Sequence, residues 1–250
     1  MREFLFGIVP GSVFVLRYHP NPTMPQLVGL FLMELAPFLI ASSLSGGGLL
    51  AVLFGFLLVY SVYEIGYIHN DLVSLKEKEG RTDRDQFSSF RVPVFLSARI
   101  PVIAVMLMIL HHHQGNRFVP TLLLLLFLIC IFFLHNLMLR PGKRVSTFLA
   151  LNTIKVLIRF SLLDASGGLM IFAILPHIAV KLLHYLKSKK LIAITDPDFR
   201  LVSLNIYLGL APVLVALDLK LFLVSLPYFL NHNKALIYDC VRPFLQQLKK

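Results

Sequence analysis

The stretch GGLLAVLFGFLLVYSVYEIGYIHND, residues 47–71, decides the fold class. It carries no charged side chain before Glu64, and its apolar part, 47–68, matches the roughly twenty residues an α-helix needs to cross the hydrocarbon core of a bilayer. It then ends in His69-Asn70-Asp71, and a polar stretch runs on to Arg91. The pattern is a membrane span with a polar mouth, and apolar runs of similar character recur at about 25–43, 92–110, 118–138, 145–163, 167–186, 201–217 and 219–230. The last is short and holds Pro227, and an apolar stripe further on (Leu236, Ile237, Val241, Phe244, Leu245, Leu248) either lies in the interface or completes that span.

Composition points the same way. Hydrophobic residues make up 57% and charged residues 15% of the 250, with a mean hydropathy of +0.77. A soluble globular chain holds about 45–50% apolar and about 25% charged residues. A water-soluble core of this size cannot hide the excess, which excludes a soluble enzyme, a disordered tail and a secreted disulfide scaffold. Two cysteines, Cys130 in an apolar run and Cys240 near the C-terminus, predict neither a disulfide nor a thiolate metal site. The expected fold is all-α, a polytopic transmembrane helix bundle of about 8–9 spans. Residues 1–24 are expected to form an N-terminal interfacial segment, and 25–250 the bundle domain.

The net charge is +11, from 24 Lys and Arg against 13 Asp and Glu. In a soluble chain this balance would point to nucleic acid; here its distribution points to membrane lipids and a phosphorylated substrate. The loops 69–91, 139–144 and 187–200 carry Lys76, Lys78, Arg81, Arg84, Arg91, Arg140, Lys143, Arg144, Lys187, Lys189, Lys190 and Arg200. The alternate loops hold little positive charge beyond Arg117. The positive-inside rule then places both termini and the basic loops in the cytoplasm, for a protein of the bacterial inner membrane.

The residues able to carry chemistry gather on that side. Glu64 and Asp71 are seven apart, two helical turns, with Tyr67 between them on one face. Asn70 beside Asp71, followed by Glu77, Glu79, Asp83 and Asp85 in the loop, offers oxygen donors to a hard cation such as Mg²⁺; a solvated, charge-balanced loop is the plainer reading. Asp196 and Asp198 form a second acidic site on the same side, with a helix N-cap at Asp198 as the alternative. Asn152, Lys155 and Arg159 form a stripe on the 145–163 segment. Next to Arg140, Lys143 and Arg144, that stripe suits a diphosphate or phosphosugar. Lys181 reads as a snorkelling lysine, and Glu34 as either a partner of an internal arginine or a catalytic group. His111-His112-His113 lies on the opposite side, and adjacent histidines do not share a helix face.

The stretch YEIGYIHNDLVSLKEKEGRTDR, residues 63–84, resembles the UbiA superfamily of membrane-embedded prenyltransferases. Asn70-Asp71 matches the start of that family's first aspartate-rich motif, although Ser74 and Lys78 stand where further aspartates are expected, with Glu79 one residue later. Asp196 and Asp198 fall where the second motif is expected, and RPGKRVSTFLALNTIKVLIRF, residues 140–160, looks like the family's basic loop and fifth helix. The resemblance implies a helical bundle around a lipid-open cavity. Asn70, Asp71, Glu79, Asp196 and Asp198 would hold Mg²⁺, while Glu64, Tyr67, Arg81 and the basic residues above would bind the substrate. The implied activity is Mg²⁺-assisted transfer of a prenyl or phosphosugar-type group from a polyprenyl or other diphosphate donor at the cytoplasmic face. The alternative is a non-catalytic membrane subunit or lipid carrier that keeps the fold.

Overall fold

The computed structural model describes residues 2–18, 21, 23–46, 48–73, 90–163 and 167–238. Glu79, Arg81 and the rest of the loop 74–89 lie outside them, as does the tail from 239 onward. The described residues form helices joined by short turns, without strands: α1 (Arg2–Ile8), α2 (Ser12–Tyr18), α3 (Met24–Glu34), α4 (Ala36–Leu44), α5 (Leu49–Ile68), a π-helical turn (His69–Val73), α6 (Val92–His113), α7 (Gly115–Leu137), a 3-10 turn (Pro141–Arg144), α8 (Val145–Ser161), α9 (Gly167–Ser188), α10 (Asp196–Leu217) and α11 (Leu219–His232). Five helical stretches are long and apolar enough to cross a membrane: Met24–Leu44, Leu49–Asp71, Val92–His113, Gly115–Leu137 and Asp196–Leu217.

Burial sorts the helices into outer and inner sets. On α7, Leu123, Leu126, Phe127, Ile129, Phe133 and Leu134 are exposed, and α6 and α10 likewise expose Ile100, Val105, Met108, Leu201, Leu208 and Val213. Apolar faces of this extent are stable against lipid tails rather than water. In contrast, α8 is enclosed: Leu151, Asn152, Ile154, Lys155, Val156, Ile158, Arg159 and Phe160 are all buried. Together α5 and α8 form a spine shared by two apolar cores. One joins Val52, Val156 and Phe160 to Phe38, Ile174, Tyr207 and Tyr228; the other joins Leu58, Val62, Ile154 and Ile158 to Leu110, Leu128 and Phe132.

Two irregularities position the polar groups. The first lies between α3 and α4. Pro37 has no N–H to donate, and the N–H of Phe38 bonds Leu35 O (3.1 Å) instead of continuing the α3 ladder to Glu34. The carbonyl of Glu34 is left for another donor, and the Arg159 guanidinium on α8 supplies it. A helix break inside a bundle is tolerated where side chains satisfy the freed backbone in this way.

The second is the N-terminal segment. Its two short helices dock on α6 and α5, with Gly11 at φ +93° in the turn between them. Gly7 permits the approach, because a Cβ there would meet Ala98 Cβ at 2.5 Å and Phe95 O at 2.7 Å. Arg99 donates to Phe6 O and to Val9 O (3.2 Å) at the end of α1. Glu64 accepts the N–H of Phe14 (2.7 Å) in the first turn of α2, where no intrahelical acceptor exists. Glu64 and Arg99 pair with each other at 2.9 Å, both fully buried.

Candidate functional site

A cavity of about 830 Å³ opens among the C-terminal ends of α5, α7, α9 and α11, the start of α8, and the broken α3. That volume is within the range of about 300–1,000 Å³ seen for small-molecule and cofactor sites. One wall is aromatic. Phe14, Tyr63, Tyr67 and Phe132 line it, with Tyr63 edge-on to Phe132 (4.5 Å between centroids) and to Tyr67 (5.0 Å). Phe148 and Tyr185, stacked at 4.2 Å, continue the lining toward the basic turn, where Tyr185 donates to Pro141 O (3.2 Å).

The remaining lining is cationic. Arg17, Arg144, Lys155, Lys181, Lys189 and Lys234 all border the cavity, and Glu34 is the one carboxylate among the described lining residues. Glu34 is itself engaged: Lys155 reaches it at 2.8 Å and Arg159 at 3.0 Å. Lys155 also sits near the rings of Tyr60 and Tyr63, at 5.5 and 5.7 Å. A cavity of this charge attracts anions, and the surrounding low-dielectric bundle strengthens that attraction.

Of the residues singled out in the sequence, Tyr67, Asn70, Arg144, Asn152 and Lys155 line the cavity. Arg159 stands one layer back, held by Glu34 and stacked at 3.5 Å over Phe38. Asp71 is just behind Asn70, which donates to it (3.0 Å), and Asp71 is ion-paired with Arg17. The expected common face of Glu64, Tyr67 and Asp71 exists, but it grips α2: Glu64 holds Phe14, Tyr67 lies under Arg17 at 4.5 Å, and Asp71 takes Arg17. The π-helical turn that carries Asn70 and Asp71 is supported by Asn136 of α7, which donates to Gly66 O (3.2 Å). Short π-helical insertions of this kind are frequent at functional sites.

The second acidic pair lies apart from the cavity lining. Asp196 and Asp198 are exposed in the first turn of α10; Asp196 pairs with Lys187. The cap of that helix is Thr195, whose Oγ1 accepts the N–H of Asp198 (3.3 Å), so Asp198 is a first-turn residue rather than the cap. Arg140 and Lys143 are exposed, while Arg144 is buried. Among the described residues no group of three or more His, Cys, Asp and Glu side chains is placed to hold a metal ion. Asn70 lines the cavity and Asp71 lies behind it, paired with Arg17; these two oxygen donors would be the ones to hold a Mg²⁺ completed by phosphate oxygens.

Glu34, read from the sequence as an arginine partner or a catalytic group, and Lys181, read as a snorkelling lysine, also line the cavity. The sequence reading passed over His184, His232 and Lys234, which line it too. His177, Lys181 and His184 are spaced i, i+4, i+7, a one-face spacing like the i, i+3, i+7 that revealed the α8 stripe, so that signal was present in the 167–186 segment. No family model, curated protein or solved structure matches this chain.

Proposed function

We propose that this protein binds a phosphate- or diphosphate-bearing lipid, such as a polyprenyl diphosphate, with the headgroup in the cationic cavity. In this reading it transfers a prenyl or phosphosugar-type group to an acceptor at the cytoplasmic face of an inner membrane. One observation carries the binding: six lysines and arginines face a cavity in which Glu34, already doubly paired, is the described carboxylate. The likeness of residues 63–84 to UbiA prenyltransferases supports the transferase form; in this reading α8, α9 and α11 would join the five apolar stretches to make about eight spans.

The transfer breaks the bond between C1 of the donor and the diphosphate oxygen, and the electron pair leaves with the diphosphate. The cation left at C1 is captured by a nucleophilic atom of the acceptor, which releases its proton. Tyr63, Tyr67 and Phe132 line the cavity, and the π-face of such a ring attracts a cation of this kind. Arg144, Lys155 and Lys181 stabilise the leaving diphosphate. Asn70 and Asp71 would hold one Mg²⁺, whose chemistry is to neutralise that leaving charge; Asp71 would then share its carboxylate between the ion and Arg17.

A second reading, a lipid carrier or non-catalytic subunit, is favoured by the pairing of the acidic groups. Glu34, Glu64, Asp71 and Asp196 each already contact a basic side chain. The test is the affinity of purified protein for farnesyl diphosphate with and without Mg²⁺. The transferase reading expects Mg²⁺ to tighten binding and Asp71→Asn to remove that increment. Binding that ignores Mg²⁺ altogether assigns the protein to the carrier class, and no saturable binding refutes both. The orientation is tested separately: a reporter fused after residue 82 is expected in the cytoplasm and one at His112 outside.

A further inference from the structure

The polar wall opposite Asn70 is built by three other helices. From α9, Lys181 and His184 face the cavity, with His177 one turn deeper; the end of α11 adds Asn231 and His232, and Lys234 follows it; α8 adds Asn152 and Lys155. This wall is held in place. His177 is buried, its Nδ1 is 3.1 Å from His232 Nε2, and its ring stacks on Tyr228 at 4.0 Å. Gly29 of α3 makes room for the α11 end, since a Cβ there would stand 2.9 Å from Asn231 Oδ1 and 3.4 Å from Lys234 Nζ.

The charges on this wall do not balance. Lys155, Arg159 and Lys181 are three cations against the single carboxylate of Glu34. Lys155 and Arg159 both contact Glu34, whereas Lys181 has Asn152 Oδ1 at 3.5 Å, the long limit of a hydrogen bond. Excess positive charge inside a bundle is costly unless an anion offsets it. The imbalance sits on the cavity surface, where an anion can reach it.

We propose that Lys181 and Lys234, flanked by His184 and His232, form a metal-independent site for the phosphate or diphosphate group of a lipid. The proposal rests on the reading of the cavity as a phosphate-lipid site and adds where the phosphate oxygens are held. Affinity then comes from direct ammonium–phosphate hydrogen bonds on the α9–α11 wall. Any ion at Asn70 and Asp71 acts on a group already bound. The lipid source is favoured over free phosphate because Leu30, Met33, Phe148 and Leu151 share the lining and offer an apolar path for a chain.

The test measures binding to the full chain in EDTA, with farnesyl diphosphate, farnesol and inorganic diphosphate as probes. Wild type is expected to bind farnesyl diphosphate well ahead of farnesol. Lys181→Gln and Lys234→Gln should each weaken it about tenfold or more, as expected for loss of a charge-assisted hydrogen bond. Lys181→Arg should restore most of the loss, and Lys220→Gln, at the exposed start of α11, should leave binding unchanged. Lys234 is exposed, so its substitution reports on binding even if the Lys181 variant folds poorly. Wild-type affinity in EDTA for both glutamine variants would overturn the site and leave the cavity reading standing. Equal affinity of wild type for farnesol and farnesyl diphosphate would overturn the cavity reading itself. Competition by inorganic diphosphate that Lys181→Gln abolishes would keep the site and move its ligand to the aqueous phase; failure to compete assigns the lipid.

Discussion

Glu64 and Glu34 are both buried carboxylates that meet arginine, and they are built differently. Glu64 faces Arg99 one to one at 2.9 Å, and each also bonds the backbone of the N-terminal segment: Phe14 N–H for Glu64, Phe6 O and Val9 O for Arg99. Glu34 faces Lys155 and Arg159 together, with Lys181 close by across Asn152, and it borders the cavity. The first arrangement is closed, since its charges cancel and its hydrogen bonds tie one segment of chain to another. The second is open, since it carries surplus positive charge on an accessible surface. A closed pair holds the fold, and an open one leaves attraction for a ligand.

The largest effect is expected from opening the closed pair. Arg99→Ala strands the Glu64 charge and frees the α1 carbonyls, and removing one partner of a buried pair costs about 3–5 kcal/mol. Unfolding measured in detergent should show that loss, while farnesyl diphosphate affinity per folded molecule stays near wild type. A variant of undiminished stability would show that the pair does not anchor the N-terminal helices. Glu34→Gln should separate the two properties: stability falls, by about 3 kcal/mol or less because an amide still accepts one hydrogen bond. Phosphate-lipid affinity rises, because the cavity gains positive charge. A parallel fall in both would mean that Glu34 positions its lysine for the ligand rather than competing with it.

Within the open cluster, Lys155 and Arg159 are distinguishable. Lys155 lines the cavity, so Lys155→Ala should weaken headgroup binding by about 1.5–3 kcal/mol, the value of a hydrogen bond to a charged group. Arg159 stands behind Glu34 and satisfies its carbonyl, so Arg159→Ala should act more on stability than on affinity. Equal losses of affinity would bring Arg159 forward into the site. The smallest effect is expected at Arg140 and Lys143, whose exposed side chains should change affinity by no more than about 0.5 kcal/mol when replaced by alanine.

Much of the architecture was legible in the sequence because apolar runs of span length leave few alternatives. Each of the eight expected segments contains helix, and the run at 25–43 divides at Leu35. That division is invisible to hydropathy, because Leu35, Ala36 and Pro37 are as apolar as their surroundings; its signal is the proline three residues after the charged Glu34. The N-terminal segment reads as interfacial from its short apolar runs, and nothing in it announces that Glu64 and Arg99, 50 and 85 residues after Phe14, hold its backbone. Spacing found the common face of Glu64, Tyr67 and Asp71 but could not say that it met α2 rather than a ligand. Helical periodicity gives a direction, and only the packing of other helices says what lies there.

The central claim is that the surplus charge beside Glu34 holds a lipid phosphate. An experimental structure determined with farnesyl diphosphate bound tests it most directly. The account predicts phosphate density inside the cavity, with an oxygen about 2.7–3.0 Å from Lys181 Nζ, as charge-assisted hydrogen bonds require, and the chain along Tyr63, Tyr67 and Phe132. Phosphate density outside the cavity, against Arg140 and Lys143, with Lys181 still turned to Asn152, would contradict it.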